Sequence, residues 1–397
     1  MKRIILFLVF ALSACQLSAQ FIHKLPIPDN VYINKVVQLD EDSYLAASSN
    51  QLYKITLNLG TDIQAELIDT DISEDEYTSI YTDGSIAITT CKKGVYSSSD
   101  LDNWIAYKEG IGDKSTVDVA KHKSTLFALT KSSGLYKGGE PWQAVESPWG
   151  GSWAYQLLST DDKLYVATGK GVFVTEDNGT TFTQLNNGLN YTVKSLADGE
   201  DYLYAGTSGH GFYTYDFAEE KWKRESDSIG NLDVNAIAKA DGRTIIACEP
   251  REDGNSLFWC DQRYNWQPYD YGELKSKTIK YVYKFKLDPV VLVSTDQGNY
   301  IIDPTVTSIE DQTKSVAIYP NPVTDLLSVA IEENFSGLGD IEIYNSNGIR
   351  IKKTENISIN SGKVNLSIKD YNLISGIYFC KLTYSSYLHT FSFTVIN

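Results

Sequence analysis

The sequence lacks the residue patterns that metal sites and nucleic-acid-binding surfaces need. Its five cysteines include no CxxC pair, and its four histidines, His23, His122, His210 and His389, are scattered along 397 residues. No P-loop, dinucleotide fingerprint or nucleophile elbow occurs, so neither a metal nor another cofactor is expected. Basic residues form no cluster in a chain with a formal net charge of −16, which argues against nucleic acid and anionic membranes as partners.

Long apolar runs are missing as well. The longest run, from Ile4 to Leu12, is too short to cross a bilayer. Because residues 2–3 are basic and small residues follow the run, it predicts a signal peptide over residues 1–19 with cleavage before Gln20. The tetrapeptide LSAC leaves lipidation of Cys15 open as an alternative.

Helical periodicity is also absent, whereas aromatic residues are abundant. No long stretch repeats its apolar residues every 3.6 positions. The chain has 27 tyrosines, 14 phenylalanines and 7 tryptophans against a single methionine. Aromatic residues of this kind favour strands. The composition therefore predicts an all-β protein.

An aromatic residue recurs about every 41 positions between residues 53 and 300. The seven copies are Tyr53, Tyr96, Tyr136, Phe173, Tyr213, Phe258 and Tyr300. A repeat of roughly 40 to 45 residues is typical of one four-stranded propeller blade. In this register each aromatic lies on the third strand of its unit.

The residues around each aromatic supply the other strands of the unit. A short apolar strand precedes it, as in LYVAT and LYAGT, and an earlier strand such as Val193 to Ala197 would be the innermost one. Turns rich in Asp and Gly separate these strands. A further aromatic opens the fourth strand in five units: Trp104, Trp142, Phe182, Trp222 and Trp266. Residues 20–304 are therefore predicted to form a seven-bladed β-propeller.

The seventh unit lacks a fourth-strand aromatic after Tyr300, and the stretch FIHKL, Phe21 to Leu25, has no place in the first unit. We expect this stretch to supply the outer strand of the last blade, because closing the ring removes exposed sheet edges.

The clearest copy of the unit is GVFVTEDNGTTF, residues 171–182, in which a polar turn joins two strands. Its pattern, Thr175-x-Asp177-x-Gly179-x-x-Phe182, resembles the Asp-box of sialidase-type and sortilin-type propellers, and the whole array resembles photosystem-assembly-factor-like repeats. A shorter copy begins at residue 98. The resemblance implies that Asp177 and Gly179 stabilise a turn and lie away from any ligand site.

The pattern changes near residue 316, after a polar linker at 305–315. Three motifs follow in order: the run Tyr319-Pro320-Asn321-Pro322, the turn Asn347-Gly348, and Gly376 two residues before Tyr378. Prolines that delay a strand, and Gly-containing turns between short alternating strands, predict a small immunoglobulin-like β-sandwich over 316–397.

These motifs resemble the type IX secretion (Por) C-terminal sorting domain, type A. The resemblance implies that the type IX secretion machinery exports the chain across the outer membrane of a Gram-negative bacterium. The protein would then be released or attached to the outer face of that membrane.

Cys248 and Cys260 fall on two predicted strands joined by one loop. In an oxidising compartment they could form a disulfide across the hairpin. Two unpaired buried thiols are the alternative.

Loops that join one blade to the next share a propeller face with the loops between second and third strands. Candidate ligand-binding residues on these loops are Trp149, Trp153, Tyr155, His210 and Arg251. Flat rings stack on sugars or peptides while nearby polar groups orient them. The sequence therefore predicts a monomer that binds an extracellular glycan or protein, although Trp149 and Trp153 could instead fill gaps between blades.

An enzymatic alternative is a sialidase-like or other glycan-active hydrolase. A sialidase needs an arginine cluster, but the propeller has only Arg224, Arg243, Arg251 and Arg263, none on a predicted innermost strand. A pair of carboxylates for glycoside hydrolysis remains open, because the sequence does not give their separation. Binding without catalysis is the expectation.

Overall fold

The computed structural model describes residues 22–302 and 317–396, with short gaps at 58–62, 73–75, 200, 227–228, 230–231, 241, 261–263, 270–271, 287–289, 332–334, 346–349 and 385–386. The predicted signal peptide, Cys15, the predicted linker and the turn Asn347-Gly348 lie outside the described residues. Among the described residues, no helix has the length and apolar character that a membrane span requires.

The strands within residues 22–302 form seven four-stranded antiparallel sheets, numbered here as blades 1 to 7. The short strand β1 (Ile22–Lys24) comes first. Blade 1 contains β2 (Ile33–Gln38), β3 (Ser43–Ser48), β4 (Leu52–Leu57) and β5 (Ile63–Ile68); blade 2 contains β6 (Tyr77–Thr82), β7 (Ala87–Cys91), β8 (Gly94–Ser98) and β9 (Ile105–Ala106); blade 3 contains β10 (Thr116–His122), β11 (Thr125–Thr130), β12 (Leu135–Lys137) and β13 (Gln143–Val145).

The remaining sheets of this part continue in chain order. Blade 4 contains β14 (Ala154–Ser159), β15 (Leu164–Thr168), β16 (Gly171–Thr175) and β17 (Thr183–Leu185); blade 5 contains β18 (Val193–Asp198), β19 (Tyr202–Thr207), β20 (Phe212–Asp216) and β21 (Lys221–Arg224); blade 6 contains β22 (Val234–Ala240), β23 (Arg243–Cys248), β24 (Leu257–Cys260) and β25 (Gln267–Pro268); blade 7 contains β26 (Ile279–Lys284), β27 (Val291–Thr295), β28 (Gly298–Ile302) and β1. A short 3-10 helix, Gly272–Leu274, precedes blade 7.

Each repeating aromatic lies on the third strand of its sheet, as the period predicts. The first strands of successive sheets contact one another from β2 round to β26, and β26 contacts β2 again. The sheets therefore form a closed ring with the first strands innermost. Apolar side chains from adjacent sheets pack between them, so the core consists of separate layers between blades. The predicted β-propeller is confirmed.

The ring closes through the N-terminal strand, also as predicted. Strand β1 pairs with β28 in antiparallel register, with Ile22 opposite Ile302 and Lys24 opposite Tyr300. Leu25 and Ile27 continue into the core between blades 7 and 1. Joining the two ends of the ring in one sheet gives blade 7 its fourth strand, while Phe21 itself lies outside the described residues.

Tryptophans on or just before the fourth strands connect neighbouring blades. The Trp222 indole Nε1 donates a hydrogen bond of 2.9 Å to the carbonyl of Leu185 in blade 4, and the Trp142 Nε1 donates one of 2.9 Å to Tyr107, before blade 3. Gly188 lies against the Trp222 backbone with φ +89°, and an added Cβ would come 2.4 Å from the Trp222 carbonyl oxygen. Only glycine fits this contact.

The C-terminal region folds into two sheets. One sheet contains β29 (Ala317–Tyr319), β30 (Leu326–Ala330) and β33 (Lys363–Ser367); the other contains β32 (Arg350–Ile359), β31 (Gly337–Tyr344), β34 (Gly376–Tyr384) and β35 (Tyr387–Val395). A 3-10 helix, Lys369–Tyr371, follows β33. Both sheets contribute to one apolar core. The arrangement is a β-sandwich, and its description as immunoglobulin-like stays a prediction.

The predicted sorting motifs occupy different environments in this sandwich. Tyr319 and the prolines after it are exposed, while the Asn321 side chain accepts a hydrogen bond of 2.8 Å from the Thr394 amide. Gly376 begins β34, and Tyr378 is buried with its hydroxyl donating 2.8 Å to the Ile374 carbonyl. The first and third motifs therefore meet at one end of the β34–β35 hairpin, where Ile377 pairs with Thr394.

Candidate binding face of the propeller

The innermost strand of every blade starts with a β-bulge one residue after its beginning. The register shifts between these pairs: Ile33 and Lys35, Tyr77 and Ser79, Thr116 and Asp118, Ala154 and Gln156, Val193 and Ser195, Val234 and Ala236, Ile279 and Tyr281. Bulges turn a side chain out of the regular alternation. At three of them the bulged residue is Asn or Thr, and Asn34, Thr78 and Asn235 each donate a hydrogen bond to the carbonyl of the first residue of the next inner strand.

Side-chain hydrogen bonds join these inner strands around the ring. Examples are Asn34 Nδ2 to the Tyr77 carbonyl at 2.8 Å and Thr78 Oγ1 to the Thr116 carbonyl at 2.7 Å. The Gln156 side chain both donates to and accepts from Leu196, at 3.1 and 2.7 Å. Such bonds fix the inner strands relative to one another, so the loops above them start from defined positions.

Asp118 is the most connected side chain of this ring. Its carboxylate is buried and accepts from Ser79 Oγ at 2.6 Å, from the Leu157 amide at 2.8 Å and from the Val119 amide at 3.0 Å. Lys35 Nζ lies 3.4 Å from Oδ1. One carboxylate thus joins the inner strands of blades 1 to 4.

The linkers between blades lie against the loops between second and third strands and form one face with them, called here the upper face. Backbone hydrogen bonds join the two sets of loops in several blades. They are Ser49 to Tyr32, Lys131 to Ser115, Gly169 to Trp153, Ser208 to Thr192 and Asp296 to Thr278, each amide to carbonyl. This ladder gives residues on the upper face fixed positions.

Trp149 does not belong to the exposed part of this face. It is 1% exposed, and its ring centroid lies 5.4 Å from those of Phe173 and Phe182. The prediction that it contacts a ligand is wrong, because the indole fills the gap between blades 3 and 4. The alternative role that the sequence left open is the correct one.

Trp153, four residues later in the same linker, is 55% exposed. The Lys131 ammonium lies 4.6 Å from its ring centroid. A cation over one ring face holds the indole in place and leaves much of its surface to solvent. Tyr155 follows at the bulge of β14 and is partly buried, and this burial raises the pKa of its hydroxyl.

The next blade carries a second exposed ring that the sequence analysis missed. Tyr191 is 39% exposed and stacks on the His210 imidazole with a centroid distance of 3.6 Å. His210 Nδ1 lies 2.8 Å from the Ser208 carbonyl oxygen, and Arg224 Nε donates a hydrogen bond of 3.2 Å to the His210 carbonyl. The missed signal was an aromatic just before an inner strand, the position type that Trp153 also has.

Arg251 lies two blades away from Trp153, on the loop between β23 and β24. Residues 250–253 line a separate shallow cavity of about 490 Å³, and the Arg251 guanidinium lies 5.8 Å from the Phe258 ring centroid. The Glu249 carboxylate accepts 2.8 Å from Thr278 Oγ1. Trp153, Tyr155 and His210 therefore share two adjacent blades, whereas Arg251 belongs to another part of the face.

Cys248 and Cys260 are not joined by a disulfide. Cys260 lies opposite Thr244 in the β23–β24 pairing, four residues from Cys248 along β23. Four residues of strand span about 13 Å, twice the Cα separation that a disulfide allows. The predicted pairing is wrong, and burial raises the pKa of the Cys248 thiol to about 12.

The described arginines of the propeller do not form a sialidase-type cluster. Arg224 ends β21, Arg251 lies on a loop of blade 6, and Arg243 begins β23 at its opposite end with its guanidinium 4.2 Å from the Trp259 ring centroid. Arg263 lies outside the described residues.

The turn at residues 176–182 lies at the opposite ends of the strands, on the lower face. Asp177 Oδ1 accepts from the amides of Thr180 and Thr181 at 3.0 and 2.8 Å and from Thr175 Oγ1 at 2.8 Å. Gly179 has φ +79° and approaches the Phe127 ring. The geometry is that of a locked turn, and membership of the Asp-box family stays a prediction.

Replacing Asp177 with asparagine should change how stability depends on pH. The Thr181 hydroxyl and the amides around the carboxylate hold the pKa of Asp177 well below its usual range. A depressed pKa contributes stability above the unfolded value of about 4, and this contribution is lost as pH falls through the folded pKa. We expect urea midpoints, followed by tryptophan fluorescence from pH 7 to pH 3, to fall less for Asp177→Asn than for the wild type. Asp162→Asn, on another turn of blade 4, is the control. If its urea midpoint also falls less than that of the wild type, and by the same amount, the expectation for Asp177 is contradicted.

Residues 317–397 match the family model of the secretion system C-terminal sorting domain. This match confirms the resemblance inferred from the three motifs, and it indicates a protein that is secreted or held at the cell surface. The domain implies interaction with the type IX secretion machinery. No curated protein matches the chain in sequence.

Several solved structures resemble the chain in fold. The extracellular domain of the hybrid two component system BT4673 from B. thetaiotaomicron has a TM-score of 0.58 at 13% identity, over 92% of this chain and 57% of that chain. YCF48 bound to D1 peptide has a TM-score of 0.57 at 15% identity, over 74% of this chain and 96% of that chain. YCF48 from Cyanidioschyzon merolae has a TM-score of 0.55 at 12% identity, over 72% of this chain and 99% of that chain. At these identities the likeness concerns the fold, and this chain spans little more than half of the BT4673 domain.

Proposed function

We propose that this protein is an extracellular binding protein, exported through its sorting domain, that holds a glycan or a protein partner on the upper face of its propeller. The observation that carries the proposal is the pair of exposed rings, Trp153 and Tyr191, on the linkers of adjacent blades. Each ring has a basic side chain packed on it, Lys131 in one case and His210 in the other.

A glycan is the ligand that this arrangement favours. Sugar rings present flat apolar faces that stack on aromatic side chains, while their hydroxyl groups bond to nearby polar groups. The Lys131 ammonium and the His210 imidazole supply polar groups next to each ring. A protein partner would use the same rings as anchors, since exposed aromatic and arginine side chains dominate interfaces.

Both rings are held before a ligand arrives. The Gly169 amide donates a hydrogen bond of 2.7 Å to the Trp153 carbonyl. The Ser208 amide donates one of 3.0 Å to the carbonyl of Thr192, which is next to Tyr191. A preorganised loop loses little conformational freedom on binding, so contact energy is retained as affinity. Support for binding over sialidase-type hydrolysis comes from the dispersal of Arg224, Arg243 and Arg251.

Export would place the propeller outside the cell. The sorting domain would be removed by the secretion machinery, and the propeller would be released as a monomer or attached to the outer face of the outer membrane. In either case the upper face would meet extracellular material.

The test is a glycan-array screen of residues 20–397 with a parallel screen of surface proteins, and hits are measured by calorimetry. We expect Trp153→Ala and Tyr191→Ala each to weaken binding about tenfold, or about 1.4 kcal/mol, without changing the urea midpoint. Tyr319→Ala removes an equally exposed ring from the C-terminal domain and serves as the control. If both propeller variants bind like Tyr319→Ala, the upper face is not the site; if only surface proteins bind and the same variants lose them, the partner is a protein.

A further inference from the structure

A second surface, lined by neither Trp153 nor Tyr191, lies between blades 4 and 5. It is a groove of about 800 Å³ that begins at the turn carrying Glu176 and Asp177 and extends to Asn186 and Asn187 in the linker between these blades. The turn after β20, with Glu219 and Glu220, forms its other side. The groove is larger than the cavity beside Arg251, and no residue of the proposed glycan site lines it.

The charges of the groove are predominantly negative. Among the described residues that line it, four carry carboxylates and Lys163 is the single basic residue, 2.8 Å from Glu176 Oε1. Both carboxylate oxygens of Asp177 accept hydrogen bonds from residues of its own turn. The carboxylates of Glu219 and Glu220 form no hydrogen bond or ion pair with any described residue, so they are available to a cationic partner.

Aromatic rings lie beside these carboxylates. Phe217 is 40% exposed, and its ring packs edge-on against Tyr215 at a centroid distance of 5.5 Å. The Lys163 ammonium already lies 5.7 Å from the Phe217 centroid. The groove therefore places a cation against an aromatic face, the environment that lysine and arginine side chains favour.

The shape of the groove suits an extended chain. Three consecutive residues of β17, Thr183, Gln184 and Leu185, line it, although their side chains alternate in direction along a strand. The groove must therefore run along the edge of β17, the outermost strand of blade 4. An edge strand offers backbone amides and carbonyls to a peptide that pairs with it.

We propose that this groove binds an extended basic peptide segment of a partner protein. The peptide lies along β17, and its lysine or arginine side chains meet Glu219 and Glu220 while their stems pack on Phe217. A neutral glycan would use the rings and amides equally well, but it would have no use for the excess of carboxylates. The charge favours the peptide.

The probe is a fluorescein-labelled octapeptide of alternating lysine and threonine, titrated with residues 20–397 at about 0.15 M salt and followed by anisotropy. We expect the double variant Glu219→Gln/Glu220→Gln to weaken binding at least about tenfold. Phe217→Ser should weaken it severalfold, and the matching glutamate–threonine peptide should not bind.

The control addresses the overall charge, because a chain with net charge −16 attracts any cation. Glu41→Gln/Glu66→Gln removes two exposed carboxylates from blade 1 and should leave binding within twofold. Equal weakening in this control would mean diffuse attraction and would overturn the proposal. So would displacement of the peptide by a neutral oligosaccharide that itself needs Phe217. Trp153→Ala should have no effect here, so failure of the groove and failure of the upper-face site are distinguishable.

Discussion

Replacing Trp222 with alanine should lower the free energy of unfolding of the propeller by about 3–5 kcal/mol. The side chain is 2% exposed and packs between blades 4 and 5, within 5.1 Å of the Tyr215 ring centroid. The truncation would leave a cavity and would also remove the donor to the Leu185 carbonyl. Each loss destabilises the contact between two blades.

The measurement is a urea titration followed by tryptophan fluorescence. All seven tryptophans lie between residues 104 and 266, so the signal reports on the propeller without a contribution from the C-terminal domain. Trp222→Phe keeps a ring but loses the hydrogen bond, and it should cost less than alanine. Trp153→Ala, at an exposed position, should change the free energy of unfolding by less than about 0.5 kcal/mol. A loss for Trp222→Ala as small as that for Trp153→Ala would contradict the bridging role.

Replacing Asp118 with alanine should have a comparable effect, about 3–5 kcal/mol. The carboxylate is buried and bonded to inner strands on both sides of its own. Without it, the Leu157 amide loses its acceptor and the Lys35 ammonium loses its counter-charge. A buried donor that loses its only partner costs its full desolvation energy.

Asp118→Asn keeps one acceptor oxygen and the side-chain volume, so about 1–3 kcal/mol is expected for it. The double variant Lys35→Met/Asp118→Asn tests the charge pair directly. It should be more stable than the sum of the two single variants predicts, because each single change leaves the other partner uncompensated. Additive losses would show that Lys35 does not interact with Asp118, and a loss below about 1 kcal/mol for Asp118→Ala would remove Asp118 from the ring.

Much of the fold could be predicted because a propeller repeats one local pattern. The repeating aromatics such as Phe173 and Tyr213 gave the third strands, and the residues before them gave the inner strands. The unplaced stretch before Pro26 gave the strand that closes the ring. In the C-terminal domain, spaced prolines and glycines identified the sorting domain, whose family model matches the same residues.

The candidate site was harder to predict, because exposure depends on what packs above a residue. Trp149 and Trp153 lie in one linker and look alike in the sequence, but one is buried under Phe173 and Phe182 and the other is exposed. Tyr191 was not predicted, because a single tyrosine in a linker does not stand out in the sequence, and only the fold shows that it is exposed. Cys248 and Cys260 lie on two strands of one hairpin, which made a disulfide possible, but the register of β23 and β24 separates them.

The sequence by itself determined the strand order, the ring closure, the secretion signal at the C-terminus and the absence of a zinc-type spacing, because each follows from local spacing and composition. Only the tertiary structure decided which rings reach solvent, that Asp118 joins four blades, and that a groove opens between blades 4 and 5. These features arise where side chains from different blades meet, at distances of about 40 residues in the chain. Packing between blades, rather than the repeat within them, therefore sets the surfaces that can bind a partner.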